Sequence, residues 1–194
     1  MRVSFVSLLT LSALSATAHA QDYSMTQMFE GDDGRSGFVL GATLVGGDLV
    51  CSTRSGDDCG DRSVKPGAGL SVHAGQMIIP RLALLGELWG MAHTEHALTA
   101  SQILATANVR GWVAPRLWLQ GGLGVARSQI SYKTGELMAT EQSDLVPAFA
   151  AAAGVEVLHE RRFAVDIEAR GGSGFYTGDA RVWNAGVGVG ATWF

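Results

Sequence analysis

The amino-acid sequence predicts an all-β chain, an eight-stranded antiparallel up-and-down transmembrane β-barrel. Three observations predict it. Hydrophobic residues make up 47% of the 194 residues and charged ones 16%, yet beyond the N terminus no run of about 18 apolar residues is available to cross a membrane as a helix. Apolar side chains recur with period two in segment after segment, the spacing of a strand with one apolar face. The mid-strand charges fall on the opposite face with much of the glycine, which suits a narrow interior. Only helices and closed barrels satisfy every backbone group in lipid, so an apolar chain without spanning helices reads as a barrel.

Residues 1–20 read as a signal peptide. Arg2 precedes an apolar run through Leu8, Leu9, Leu11 and Leu14, and Ala18-His19-Ala20 supplies the small residues of a cleavage site. Residues 21–35 form a short periplasmic N-terminal segment and 36–194 the barrel. Cleavage would remove one base and no acid, making the formal charge of −4 one unit more negative. An acidic chain without a basic patch argues against nucleic-acid binding.

The first strand, Gly37 to Val45, places Phe38, Leu40, Ala42 and Leu44 on one face. The second, Gly67 to Ile78, sets Leu70, Val72 and Ala74 against Ser71 and His73. The third, Arg81 to Met91, opposes Leu82, Leu84 and Leu88 to Ala83, Glu87 and Trp89, with Leu85 breaking the alternation. In the fourth, Gln102 to Val113, Ile103, Ala105, Ala107 and Val109 alternate with Gln102, Thr106, Asn108 and Arg110. The fifth pairs Leu117, Leu119, Leu123 and Val125 with Arg116, Gln120 and glycines. The sixth, Leu145 to Leu158, is Ala-rich and compatible with a helix as well; Glu156 sets its phase as a strand, with Phe149, Val155 and Val157 outward. The seventh opposes Phe163, Val165 and Ile167 to Arg162, Asp166, Glu168 and Arg170. The eighth, Arg181 to Phe194, sends Trp183, Val187, Val189 and Trp193 outward and Asn184, Gly186, Gly188, Gly190 and Thr192 inward. A soluble barrel would show the same period with the faces reversed.

Connections alternate in length. Short ones lie at Ile78-Ile79-Pro80, Ala114-Pro115 and His159-Glu160-Arg161, and long ones at Gly46 to Pro66, His93 to Ala100, Ser128 to Asp144 and Ser173 to Ala180. Short periplasmic turns and long external loops are the asymmetry of membrane barrels. Pro80-Arg81-Leu82-Ala83-Leu84 recurs as Pro115-Arg116-Leu117-Trp118-Leu119, each copy opening a strand where proline is tolerated. The two cysteines, Cys51 and Cys59, share one polar stretch, and export to an oxidising compartment points to a local disulfide. A metal site with Asp57 and Asp58 lacks a ligand spacing.

From residue 36 to 194, these strands, alternating connections and a C-terminal strand ending in Phe194 resemble the small bacterial outer-membrane β-barrel proteins, the group of OmpA-like and OmpW-like barrels. The resemblance implies a place in the cell outer membrane, outer-membrane lipid as surroundings, and the barrel-assembly machinery as the partner that reads the terminal aromatic. This chain departs from the group by carrying Thr192 where an aromatic often stands two residues before the end.

The inward charges Glu87, Arg110, Arg116, Glu156, Asp166, Glu168 and Arg170 form a candidate lumen network. They either plug the barrel, which at eight strands is just wide enough for side chains to fill, or line a polar path. No catalytic, cofactor or metal site is expected. His93, Glu95 and His96 share an external loop without a supporting ligand set, and Ser71 and His73 share an inward face without an evident activating partner. The glycine runs at Gly121 to Gly124 and Gly186 to Gly190 lie inside strands rather than at a strand–turn–helix phosphate cradle. The expected role is structural or surface-interaction, with the lumen plugged. The alternative is a narrow channel for small or apolar solutes; an outer-membrane lipid-modifying enzyme finds no matching motif.

Overall fold

A computed structural model describes residues 35–52, 64–95, 98–134, 137–176 and 181–194. The strands are β1 (Phe38–Ser52), β2 (Val64–Ile79), β3 (Leu82–Glu95), β4 (Leu98–Trp112), β5 (Leu117–Thr134), β6 (Leu137–Gln142), β7 (Val146–Glu160), β8 (Phe163–Phe175) and β9 (Arg181–Trp193). Consecutive strands pair antiparallel, except β6 and β7, which both pair with β5. Pairing of β1 with β9, from Leu40 opposite Trp193 to Ser52 opposite Arg181, closes the cylinder. The short β6 continues β7 beyond a break at residues 143–145, so eight strands cross the wall. The Ala-rich segment is strand β7, which pairs along its length with β5 and β8.

The alternation falls as the period-two pattern requires. Phe38, Leu44, Leu70, Leu88, Ile103, Leu123, Val155, Ile167, Val187 and Val189 stand exposed on the outer wall, while Glu87, Arg110, Glu156, Asp166, Glu168 and Arg170 are buried inside. An aliphatic wall around a charged interior is the arrangement for lipid, the inverse of a soluble barrel. Two aromatic clusters bound it. Phe149 meets Phe175 and Trp183 toward one end, and Phe163 meets Trp193 at the other. Trp183 and Trp193 lie ten residues apart on β9, about 34 Å along the strand and about 25 Å after tilt, the height of a barrel's apolar band.

Two expectations need correction. The expected long loops are largely strand: β1 and β2 stay paired to Val50 opposite Val64, β3 and β4 to Glu95 opposite Leu98, and β5 and β6 to Thr134 opposite Leu137. Beyond the membrane neither face must be apolar, so alternation ceases while pairing continues. Polar pairs such as Ser131–Thr140 and Gln129–Gln142 knit these hairpins. Second, a bulge between Glu156 and Leu158 turns both Val157 and Leu158 outward, ending strict alternation at the strand's tip. Inside, as the inward positions of Leu85 and Trp89 require, apolar side chains share the lumen with the charges.

Residues 1–34 and Cys59 lie outside the described residues, and nothing is described of the Cys51 side chain. The signal peptide and the disulfide therefore fall outside them as well.

Candidate functional site: the filled lumen

Closure brings together side chains that are distant in the chain and stacks them in layers. At the end with the short turns, Gly37 adopts φ +83°, a left-handed conformation that glycine takes at little cost. The turn precedes β1, and Arg35, fully buried, lies across the floor of the barrel. Its Nη2 donates to Glu156 Oε2 at 2.7 Å and to Pro115 O at 2.9 Å. The guanidinium also lies 4.9 Å from the ring centre of Trp112 and 5.7 Å from that of Phe194. Trp112 Nε1 donates to Glu156 Oε1 at 2.6 Å, and His159 Nδ1 sits 2.8 Å from Glu156 Oε2. Glu156 is thus held by a cation, an indole and an imidazole. Trp112 and Phe194 meet edge to face at 5.8 Å, so the terminal aromatic completes the floor.

Above the floor, Val39, Met77, Ala83, Leu85, Trp112 and Trp118 form an apolar layer. This accounts for Leu85, whose inward position broke the alternation. Trp118 fits because residue 154 is glycine: a Cβ there would lie 2.4 Å from Trp118 Cζ2.

The next layer is charged. Glu87 is its hub, accepting hydrogen bonds from Ser71 Oγ, from Gln120 Nε2 at 2.6 Å and from Asn108 Nδ2 at 3.4 Å, and pairing with Arg170 at 2.7 Å. Arg170 Nε also meets Glu168 at 2.6 Å, and Arg110 Nε donates to Gln120 Oε1 at 2.8 Å. Each arginine stacks on a tryptophan, Arg110 4.1 Å from the Trp118 ring and Arg170 4.9 Å from the Trp89 ring. Desolvation strengthens such contacts, and the ring faces occupy space that water would otherwise fill. Asp166 shares this face, with Oδ1 buried and lacking a hydrogen-bond partner among the described residues.

A second apolar layer follows, containing Val45, Trp89, Met91, Leu104, Ala126 and Ala148. Polar side chains meet at the far end. Asn184 donates to Gln102 Oε1 at 2.9 Å, Gln102 Nε2 donates to Tyr176 at 2.9 Å, and Ser128 donates to the same tyrosine hydroxyl at 2.6 Å.

Of the seven lumen candidates, Glu87, Arg110, Asp166, Glu168 and Arg170 lie in the charged layer and Glu156 lies in the floor. Arg116 is a correction: it is exposed, in the turn just before β5. Alternation counted back from Leu117 would point it inward, but the ladder's pleat ends there, and Arg35 already occupies the floor beside Pro115. Arg35 is the residue that sequence reasoning missed. It precedes the first strand, where no periodicity acts on it; its only signal was a lone base two residues before Gly37.

The catalytic-type residues are placed as follows. Ser71 bonds Glu87 rather than His73, whose Nε2 lies 3.4 Å from Thr192 Oγ1, and all three are enclosed. His93 Nδ1 lies 2.6 Å from Pro66 O, Glu95 has no described side chain and His96 is outside the described residues. Among the described residues no group of three His, Cys, Asp or Glu side chains is placed to hold a metal ion.

An outward aliphatic wall, aromatic bands and a lumen of alternating apolar and charged layers define a small transmembrane β-barrel. Solved structures share this fold. The Ail attachment invasion locus protein of Yersinia pestis aligns over 81% of this chain and 99% of its own, at 12% identity and TM-score 0.59. Neisserial surface protein A aligns over 81% and 97%, at 14% identity and TM-score 0.57. Ail in complex with the heparin analogue sucrose octasulfate aligns with TM-score 0.56 at 13% identity, over 80% of this chain and 99% of its own. No family model and no curated protein matches the chain.

Proposed function

We propose that this outer-membrane barrel is a non-enzymatic structural or surface-interaction protein, sealed along its axis, whose hairpins beyond the wall meet the surroundings. The observation that carries this reading is the layering of the lumen. Arg35, Trp112, Glu156 and Phe194 close one end; the Glu87–Arg170–Glu168 cluster lies between Trp118 and Trp89; Gln102, Tyr176 and Asn184 close the other. Buried ion pairs such as Arg35–Glu156 and Arg170–Glu87 are costly to open, because separating the partners strands a charge out of water. The polar hairpins formed by β1–β2, β3–β4 and β5–β6 are the surfaces left for contact. The attachment function named for Ail belongs to that protein; here, contact by the hairpins rests on their polar, paired extension past the apolar wall.

One observation favours a narrow channel as a second reading. Arg110 Nη2, Asp166 Oδ1 and Glu168 Oε2 are buried without hydrogen-bond partners among the described residues, and a thread of water would satisfy them. Planar-bilayer recording of the refolded protein separates the two. The sealed barrel gives a silent bilayer. Discrete openings whose size changes in Glu87→Gln or Arg110→Gln variants would overturn it in favour of the channel.

A further inference from the structure

The outer wall carries a notch with a cation beside it. Pairing places Leu70 opposite Gly90, Gly90 opposite Ile103 and Ile103 opposite Arg127, one row across β2, β3, β4 and β5. Outward residues directly opposite each other across an antiparallel pair stand about 5 Å apart. The missing side chain at Gly90, with the small Ala68, Ala92 and Ser101 beside it, leaves a shallow apolar depression of about 430 Å³ between Leu70 and Ile103.

Arg127 ends the row. Along β5 the outward residues run Leu117, Leu119, Leu123 and Val125, then Arg127, Gln129 and Ser131; on β4, Ile103 gives way to Ser101 and Thr99. Notch and cation therefore lie where hydrocarbon gives way to headgroups. The long hairpins place this end in the leaflet that faces outside. Arg127 is exposed, donates Nε to Ser143 O at 2.9 Å, and forms no ion pair among the described residues, neither with exposed Asp144 nor with Glu141. The bond to Ser143 orients the guanidinium and leaves its Nη groups available. Arginine takes a phosphate in bidentate fashion.

We propose that this notch docks one phosphorylated lipid of the outer leaflet, lipid A, with an acyl chain over Gly90 between Leu70 and Ile103 and a phosphate on Arg127. The inference is independent of whether the lumen is sealed. It commits to lipid because the groove is apolar, opens toward hydrocarbon and carries an unpaired cation at the headgroup boundary.

Native mass spectrometry of the detergent-solubilised protein tests it, with lipid A and enzymatically dephosphorylated lipid A as the two probes. Arg127→Gln removes the cation. Gly90→Leu fills the notch, and it is sterically tolerable because a Cβ at Gly90 meets Ile103 Cγ1 at 3.7 Å and Gln102 O at 3.9 Å, ordinary contact distances. Heat-dependent gel migration confirms that both variants fold. The expected result is retention of lipid A by the native protein, reduced roughly fivefold for Arg127→Gln and for the dephosphorylated probe, and reduced for Gly90→Leu with both probes. Equal retention across the proteins and probes would overturn the proposal. So would a lipid-independent dimer that Gly90→Leu dissociates, which would make the notch a barrel–barrel contact.

Discussion

Arg35 and Glu156 form the interaction on which the floor of the barrel turns. Both are buried, and the pair is completed by Trp112, His159 and Pro115. Arg35→Ala would leave the Glu156 carboxylate out of water without its guanidinium, so unfolding in urea should become easier by about 3 kcal/mol. Adding Glu156→Gln to that variant should restore part of the loss, because no buried charge then remains unpaired. If the double variant is as unstable as the sum of the single ones, the pair is not coupled. Gly154 makes a steric demand. Gly154→Ala pushes on the Trp118 indole and should cost about 1–3 kcal/mol, whereas Gly121→Ala, with nothing within 4 Å of the added carbon, should leave the urea midpoint nearly unchanged.

The strands respond to depth in the bilayer. Val189 lies near the middle of β9, well inside the span between Trp183 and Trp193, and is exposed on the wall. Val189→Arg should destabilise the barrel folded in lipid vesicles by about 2–4 kcal/mol, while Thr99→Arg, at the polar end of β4, should cost about 1 kcal/mol or less. Equal penalties at the two positions would mean that β9 does not cross the hydrocarbon where its aromatics place it. The hairpin extensions follow a different rule. Their pairing is held by polar cross-strand contacts such as Thr94–Thr99 and Ser131–Thr140, and single losses there should barely move the urea midpoint.

Among the described residues the wall of the cylinder has no free sheet edge, since β1 and β9 satisfy each other along their shared length, and only the short β6 beyond the wall is paired on one side alone. Unfolding it means breaking continuous ladders around the whole circumference in lipid, where no water replaces a lost hydrogen bond. The unboiled protein should therefore migrate differently from the boiled protein on a denaturing gel. Identical migration would count against a closed barrel.

Period-two alternation is a property of the backbone of each strand, so it was legible from neighbouring residues alone. Leu44, Leu88, Ile103, Ile167 and Val189 revealed their wall position that way, and Glu87, Arg110, Glu156, Asp166, Glu168 and Arg170 their interior one. Which interior groups meet depends on closure and register, which join residues far apart in the chain: Arg35 reaches Glu156 across 121 positions, and Gln102 reaches Asn184 across 82. No local pattern records such distances. For the same reason Arg35, ahead of the first strand, and Arg116, at the edge of the fifth, were beyond the reach of periodicity, and the alternation of apolar and charged layers emerged only once eight separate faces were curled around one axis.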